Sequence, residues 1–186
     1  MRDTLNSINY GLATITVIDD CSTKKDGFEE LKKDFPNVNF FQLEHNSGPG
    51  AARQYGIEHT KNPYIMFIDT GDCIASKKVL IKAINSIAKY SQVYLFSYTS
   101  WNGDGRTYFK KDTTLLWGKI FSREFIELYN LRFNTTPQCS YSNEDRGLMA
   151  PSKLILEYIS TYDKIKRLCF NSDVLYKRIL DINSIT

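Results

Sequence analysis

The first hundred residues alternate between short apolar runs and helix-like stretches, and this alternation restricts the fold more than any other feature of the sequence. Four apolar runs have the length and composition of buried strands: residues 14–18, 38–43, 64–68 and 93–98. Three intervening segments have helical character: residues 28–35, 51–60 and 76–90. Strands that alternate with helices build a mainly parallel sheet flanked by helices. We therefore predict an α/β fold.

The second half is less regular and predicts a smaller antiparallel and helical part. Residues 102–105 read Asn-Gly-Asp-Gly, which favours a hairpin turn. Short helices are predicted at residues 122–129, 144–149 and 153–162, with a polar loop over residues 133–143. Residues 168–182 match no single pattern. No repeat, low-complexity tract or linker interrupts the chain, so we predict one domain over residues 1–186.

Composition excludes several classes of function. The 24 Lys and Arg against 21 Asp and Glu leave a net charge of +3, so nucleic acid is not indicated as a partner. Four cysteines form no CxxC pair and two histidines lack zinc-site spacing. Scattered cysteines fit a reducing compartment, and no run of 18 apolar residues occurs. We expect the chain in the cytoplasm, either free or at the membrane surface.

Acidic residues follow two of the predicted strands, where ligands bind in parallel α/β sheets. Asp19 and Asp20 follow the first strand and could accept hydrogen bonds from a nucleobase or a ribose. An Asx-type turn is the alternative. Asp69 and Asp72 follow the third strand and form a plausible seat for Mg²⁺ or Mn²⁺ shared with a diphosphate. Capping of the next helix, ahead of Ser76, is the alternative there.

Two further segments carry candidate chemistry. Residues 46–53 lead into a helix whose N-terminal N–H groups suit phosphate, and Arg53 adds a cationic fork. The alternative is a Gly-Pro turn with Arg53 on a solvated helix face. Glu144 and Asp145 follow a polar loop, and one of these carboxylates could act as a general base toward an acceptor hydroxyl. Acidic residues in a first helical turn are also favoured by the helix dipole.

In their order, these segments resemble the motifs of family 2 glycosyltransferases. The similar segments are VIDDCS at 17–22, NSGPGAARQYGI at 46–57, YIMFIDTGD at 64–72, WGKIF at 117–121, ED at 144–145, and LYKR with SIT at 175–178 and 184–186. The resemblance covers roughly residues 5–186. It implies a GT-A, Rossmann-like fold, with residues 1–100 as the nucleotide-sugar-binding half and 101–186 as the acceptor-side half of one domain.

The resemblance also implies roles for residues on the donor side. Asp20 would contact the nucleobase, usually uracil, while Asp19 supports its loop. Arg53 and Asn46 would line the nucleotide pocket. The donor would be a nucleotide-diphosphate sugar, of which a UDP-sugar is the usual choice.

The remaining implied roles concern the metal, the sugar and the acceptor. Asp69 would bind ribose or metal-linked groups, and Asp72 would lie near a divalent Mn²⁺ or Mg²⁺. Asp145 would deprotonate the acceptor, which gives inversion by direct displacement. Trp117 would pack against a sugar, with a core or lid aromatic as the alternative, and Arg178 would close over the diphosphate.

Two departures from the family pattern affect these expectations. The family begins with an interior strand, whereas residues 1–8 match the helix that follows that strand. We predict that the sheet closes up, or that another copy of the chain covers the open edge as a homo-oligomer. Gly71 stands where the family commonly has a metal-binding Asp, so Asp72 is the nearest replacement.

Three alternative functions remain open at this point. A degenerate GT-A domain could bind nucleotide or glycan without turnover. A nucleotidyltransferase would carry a glycine-rich loop with Lys or Arg near the chain start, which is absent here. A plain interaction domain leaves the ordered motifs unexplained. The acceptor also stays open, because a glycan, a lipid-linked sugar, a wall polymer, a protein side chain and a modified DNA base all offer hydroxyl groups.

Overall fold

The computed structural model describes residues 1–8, 11–23, 25–85, 87, 93–101, 116, 118–136, 148 and 168–179. The helices in these ranges are α1 Arg2–Ser7, α2 Lys25–Asp34, α3 Pro49–Glu58, α4 Lys77–Asn85 and α5 Arg123–Leu128. The strands are β1 Thr16–Asp19, β2 Asn39–Gln42, β3 Tyr64–Met66, β4 Cys73–Ile74, β5 Val93–Trp101, β6 Lys119–Ser122 and β7 Leu168–Ile179.

The strands form two sheets. Strands β1 and β2 make a parallel pair with Val17 opposite Phe40. The second sheet has the order β3-β6-β5-β7-β4. Within it β5 and β7 are parallel, whereas β6 runs antiparallel to both β3 and β5 and β4 runs antiparallel to β7. Strands β3, β5 and β7 therefore share one direction, and the predicted α/β class is confirmed.

The prediction that the sheet closes up is wrong for the described strands, because β1–β2 and the five-stranded sheet remain separate. The carbonyl groups of Ile15 and Asp19 accept hydrogen bonds from the β2 side. Main-chain hydrogen-bonding groups alternate in direction along a strand, so those of Thr16 and Ile18 point toward the edge of β1 opposite β2. No described strand pairs with that edge, and the Thr16 hydroxyl is buried without a hydrogen-bond partner in the described part of the chain. The other predicted solution, coverage by a second copy, stays a prediction.

One apolar cluster joins the two sheets. Its buried members include Val17 of β1, Ile74 of β4 and Ile120 of β6, together with Leu5 of α1. A second cluster surrounds α5 and is formed by Ile57, Leu116, Phe121, Phe125, Ile126, Leu131, Phe133 and Leu148. Apolar packing therefore connects the two sheets, although no strand of one is hydrogen-bonded to a described strand of the other.

Most element boundaries fall close to the predicted ones. Ser76 caps α4 by accepting the Val79 N–H at 3.2 Å, and Ser122 caps α5 by accepting the Phe125 N–H at 3.4 Å. Helix α4 ends at Asn85, earlier than predicted. Strands β4 and β6 had no sequence prediction, and the unassigned C-terminal segment forms β7. The predicted turn at 102–105 and the helices at 144–149 and 153–162 lie outside the described residues, apart from helical Leu148.

Arg123 fixes the start of α5 against the end of α3 and the start of β3. Its Nε donates to the Asn62 carbonyl at 2.9 Å, and its Nη1 donates to the Ile57 carbonyl at 2.9 Å. Its Nη2 donates to the Thr60 hydroxyl at 2.8 Å. The guanidinium thus satisfies the Ile57 carbonyl, which the end of α3 leaves without a helical partner, and two acceptors in the segment between α3 and β3. It holds α3 and β3 in a fixed relation.

Candidate functional site

Asp20 secures the loop that begins α3. One carboxylate oxygen accepts the Ser47 N–H at 2.8 Å, and the other accepts the Gly48 N–H at 2.7 Å. Gly48 is the N-cap residue and has a φ of 87°, a conformation that glycine adopts without strain. Two N–H groups that could have faced a phosphate are therefore used by Asp20. A phosphate at this helix would depend on N–H groups deeper in the first turn.

Asp19 stabilises the end of β1 as the Asx-turn alternative predicted. Its Oδ2 accepts the Ser22 N–H at 3.1 Å and the Gln42 side-chain N–H at 2.7 Å. Burial raises the pKa of Asp19, but the hydrogen bonds from the Ser22 side chain, Gln42 and the Ser22 N–H outweigh burial and hold the pKa below 3.8. Asp19 is therefore a stable anion that ties β1 to β2.

Arg53 joins α3 to the end of β3. Its Nη2 lies 2.7 Å from Asp69 Oδ1, and its side chain is only 15% exposed. The alternative that placed Arg53 on a solvated helix face is therefore wrong. Asp20 holds the start of α3 and Arg53 lies on that helix, so α3 brings both acidic strand ends to one region of the molecule.

The loop that carries Asp72 is held by α1. The Thr4 hydroxyl accepts the Gly71 N–H at 3.1 Å, and the Ser7 hydroxyl accepts the Ile74 N–H at 3.0 Å. Asp72 itself is 5% exposed, and its N–H donates to the Asp69 carbonyl at 3.1 Å. The two carboxylates thus belong to one tight turn.

Gly71 has a backbone conformation that explains its identity. Its φ is 97°, and no heavy atom lies within 4 Å of a Cβ built there. An aspartate at this position would have space but would strain the backbone. The metal-binding Asp that the family commonly has at this position would therefore be disfavoured in this turn.

Asp69 and Asp72 offer the hard oxygen ligands that Mg²⁺ and Mn²⁺ prefer. Among the residues that the structure describes, no group of three His, Cys, Asp or Glu side chains is arranged to hold a metal. Mg²⁺ sites commonly use one or two carboxylates and complete their coordination with substrate phosphates and water. A metal held by this pair would therefore need substrate phosphates and water to complete its coordination.

Strand β7 brings Arg178 toward this turn. Cys73 pairs with Lys177 and Ile74 pairs with Tyr176 in antiparallel register. Arg178 is the residue that follows Lys177 on β7. Of the other predicted site residues, Asn46 is exposed at the entry to the α3 loop, whereas Trp117 and Asp145 lie outside the described residues.

Several residues support the site without having been predicted. Thr4 and Ser7 hold the Asp69–Asp72 turn, Gln42 holds Asp19, and Phe133 lies against Arg53. The one available sequence signal was the pair of hydroxyl residues three apart on α1, which share a helix face. The other contacts join distant segments, and no local pattern marks them.

A cleft of about 570 Å³ lies away from these carboxylates, at the start of β3. Its lining residues are Pro63, Tyr64, Ser122, Arg123, Glu124, Glu127 and Leu128. None of them is a predicted site residue. The cleft therefore gives no support to the candidate site, which rests on the contacts around α3.

Comparison with known families identifies the chain. The model of the family described as "Glycosyl transferase family 2" matches residues 1–146. The chain belongs to this family. The match contains the first five of the six predicted motifs completely, including the ED pair at 144–145.

Relatives of this family 2 glycosyltransferase carry names that refer to teichoic acid or to poly(ribitol phosphate). A teichoic acid poly(glycerol phosphate) polymerase of Staphylococcus epidermidis is 23% identical over 83% of this chain and 23% of its own length. A poly(ribitol-phosphate) beta-N-acetylglucosaminyltransferase, TarS, of Staphylococcus aureus is 30% identical over 57% of this chain and 20% of its own length. A poly(ribitol-phosphate) beta-glucosyltransferase of Bacillus spizizenii is 35% identical over 49% and 15%. The chain thus spans less than a quarter of these relatives.

Solved structures show the same fold. S. aureus TarS 1–349 in complex with UDP-GlcNAc has a TM-score of 0.72 at 22% identity, over 98% of this chain and 55% of that one. The mannosyltransferase PcManGT from Pyrobaculum calidifontis, in complex with GDP-Man and Mn²⁺, has a TM-score of 0.67 at 12% identity, over 98% and 53%. The family 2 chain therefore has the GT-A fold.

Proposed function

We propose that this chain transfers a sugar from a nucleotide-diphosphate sugar to an acceptor hydroxyl. The observation that carries the proposal is the contact between Arg53 and Asp69 on a helix whose first turn is held by Asp20. This arrangement puts two strand-end carboxylates and a cation at the place where α/β sheets bind ligands. Membership of the glycosyltransferase family supports the same activity.

In the proposed reaction, the acceptor oxygen attacks the anomeric carbon while the bond from that carbon to the diphosphate oxygen breaks. The acceptor proton passes to Asp145, and the diphosphate leaves with the electron pair of the broken bond. Attack opposite the leaving group inverts the anomeric configuration. Asp20 and Asn46 contact the nucleobase side of the donor, Arg53 and Asp69 orient its ribose and phosphates, and Trp117 packs on a sugar.

A divalent metal, Mn²⁺ or Mg²⁺, held by Asp69 and Asp72 would neutralise the negative charge that develops on the leaving diphosphate. Arg178 would add positive charge to the same diphosphate; it follows Lys177, whose main chain pairs with that of Cys73, the residue after Asp72. Asp72→Asn removes one anionic ligand and leaves the size of the side chain unchanged. It should raise the Mn²⁺ concentration needed for half-maximal transfer, and an unchanged metal dependence would remove Asp72 from the metal site.

The relatives suggest which substrates to test first. We propose a UDP-sugar, either UDP-GlcNAc or UDP-glucose, as the donor, and poly(ribitol phosphate) as the acceptor. The polymer presents many hydroxyl groups along one chain, so it supplies the nucleophile that the mechanism requires.

Such a reaction would take place in the cytoplasm or at its membrane surface. Within the described ranges, no helix has the length and apolar character needed to cross a bilayer.

The direct test is release of UDP and labelling of poly(ribitol phosphate) by each UDP-sugar, with Mn²⁺, with Mg²⁺ and with a chelator. Wild type should label the polymer with an inverted linkage, and Asp145→Asn should lower the rate by at least about 100-fold. Labelling at the wild-type rate by Asp145→Asn would contradict its role as the base. A retained configuration would contradict direct displacement.

A second candidate is a GT-A domain that binds nucleotide or glycan without turnover. One observation favours it, namely Gly71 in place of the common metal ligand. Binding of UDP-GlcNAc without any transfer or donor hydrolysis would select this candidate.

We also propose that a second copy covers the edge of β1 with which no described strand pairs, where the main-chain groups of Thr16 and Ile18 point away from β2. Light scattering across a concentration series tests this directly. A dimer that dissociates when Ile18→Pro removes one main-chain N–H at that edge would support the proposal, and a monomer at all concentrations would contradict it.

A further inference from the structure

Phe133 lies where the segment after α5 meets α3 and the end of β3. Its side chain is 4% exposed, and its ring packs edge-to-face on Phe67 with centroids 5.1 Å apart. The guanidinium carbon of Arg53 lies 5.9 Å from the centroid of the Phe133 ring. The same guanidinium holds Asp69 at 2.7 Å. The ring therefore lies against the cation that orients a predicted donor-binding carboxylate.

Gln54 attaches the main chain of the same segment to α3. Its Oε1 accepts the Phe133 N–H at 3.1 Å, and its Nε2 donates to Glu58 Oε1 at 2.7 Å. A carboxylate accepts hydrogen bonds, so Glu58 fixes the amide with its nitrogen outward and its oxygen toward Phe133. Gln54 is 7% exposed, so water is poorly placed to replace it.

We infer that Phe133 and Gln54 are positioning residues for sugar transfer, acting through Arg53 on Asp69. The inference rests on the proposed function. Arg53 and Gln54 are neighbours on α3, so one turn of helix holds both the donor-side cation and residues 131–136. The donor-side cation and the main chain of residues 131–136 thus share one structural support.

The attraction between a guanidinium and a ring face grows when water is excluded. The Arg53 side chain is only 15% exposed, so loss of the ring should have a measurable effect. Without the Phe133 ring, the Arg53 guanidinium can move out of the position in which it contacts Asp69. Donor affinity should fall by about 3- to 10-fold, the range that a partly desolvated cation–π contact represents.

Phe133→Leu tests this against the matched control Phe125→Leu. Phe125 belongs to the same apolar cluster and is 0% exposed, but its aromatic partner is Tyr129. Both variants lose a ring from one core, so thermal unfolding should report similar destabilisation. Calorimetric titration with UDP-GlcNAc and Mn²⁺ should give a Kd raised about 3- to 10-fold for Phe133→Leu and within about 2-fold of wild type for Phe125→Leu. Where UDP-glucose or GDP-mannose binds wild type more tightly, that nucleotide sugar is the probe.

Gln54→Met provides a second variant that leaves the apolar cluster intact. It removes the acceptor of the Phe133 N–H, keeps the side-chain length and should also raise the Kd. Equal Kd values for Phe133→Leu and Phe125→Leu, or a wild-type Kd for Gln54→Met, would overturn the positioning role. Absence of binding by wild type to all three nucleotide sugars would instead contradict the proposed function, so the two failures are distinguishable.

Discussion

Replacement of Asp20 by Ala should destabilise the protein and release the loop that begins α3. The carboxylate accepts two main-chain N–H groups, at 2.8 Å and 2.7 Å. A hydrogen bond to a charged group contributes about 1.5–3 kcal/mol. Water can reach this half-buried site, so the lower end of that range applies. We expect a loss of about 2–3 kcal/mol in the free energy of unfolding, which lowers Tm by about 4–12 °C for a chain of this size.

The measurement is urea unfolding monitored by circular dichroism, with thermal unfolding as a second readout. Asp20→Asn keeps one acceptor oxygen and should lose about half as much free energy. Glu30→Gln, on the exposed face of α2, is the control for loss of one negative charge and should stay within about 0.5 kcal/mol of wild type. If Asp20→Ala behaves like Glu30→Gln, the carboxylate does not secure the loop and the reasoning fails.

Three further predictions follow from individual contacts. Arg123→Met removes three hydrogen bonds and should cost about 2–4 kcal/mol in urea unfolding, whereas exposed Arg132→Met should change stability little. The pKa of Asp19 is lowered in the folded protein, so the ionised side chain stabilises the fold at pH values above the pKa of the unfolded chain, and this stabilisation is lost as the pH falls through the folded pKa. The difference in free energy of unfolding between wild type and Asp19→Asn should therefore shrink below about pH 4. A difference that widens there would contradict the assignment. Gly71→Ala, at a φ of 97°, should lower Tm through about 1 kcal/mol of strain, whereas Gly27→Ala inside α2 should raise it; equal shifts would refute the conformational explanation.

The strands and helices of the first hundred residues could be predicted because their signals are local. The apolar runs that became β1, β2, β3 and β5 are short and bounded by turn residues, and periodicity with capping residues marked the helices. Strand β6 could not be recognised in the same way. Its residues become a strand because they pair with β3 and β5, and pairing partners far away in the chain leave no local pattern.

The same distinction applies to the site. The acidic loops were predictable because they directly follow strands. The sequence did not decide whether the Arg53 side chain lines a pocket or lies on a solvated face of α3. Its location depends on the contact with Asp69, which is distant in the chain. Asp20 was expected to contact a nucleobase. In the structure its carboxylate has a structural task, because both of its oxygens hold the α3 loop. That task could not be read from the order of residues.

The most direct test of sugar transfer is the rate at which purified protein moves labelled sugar from UDP-GlcNAc or UDP-glucose to poly(ribitol phosphate). Wild type should transfer sugar in the presence of Mn²⁺, and Arg53→Met should lose at least about tenfold in kcat/KM because Asp69 loses its partner. The stability control Phe125→Leu should retain the wild-type rate after correction for the folded fraction. Tight binding of the nucleotide sugar by a folded wild-type protein, with neither transfer nor donor hydrolysis under any of these conditions, would contradict the central claim.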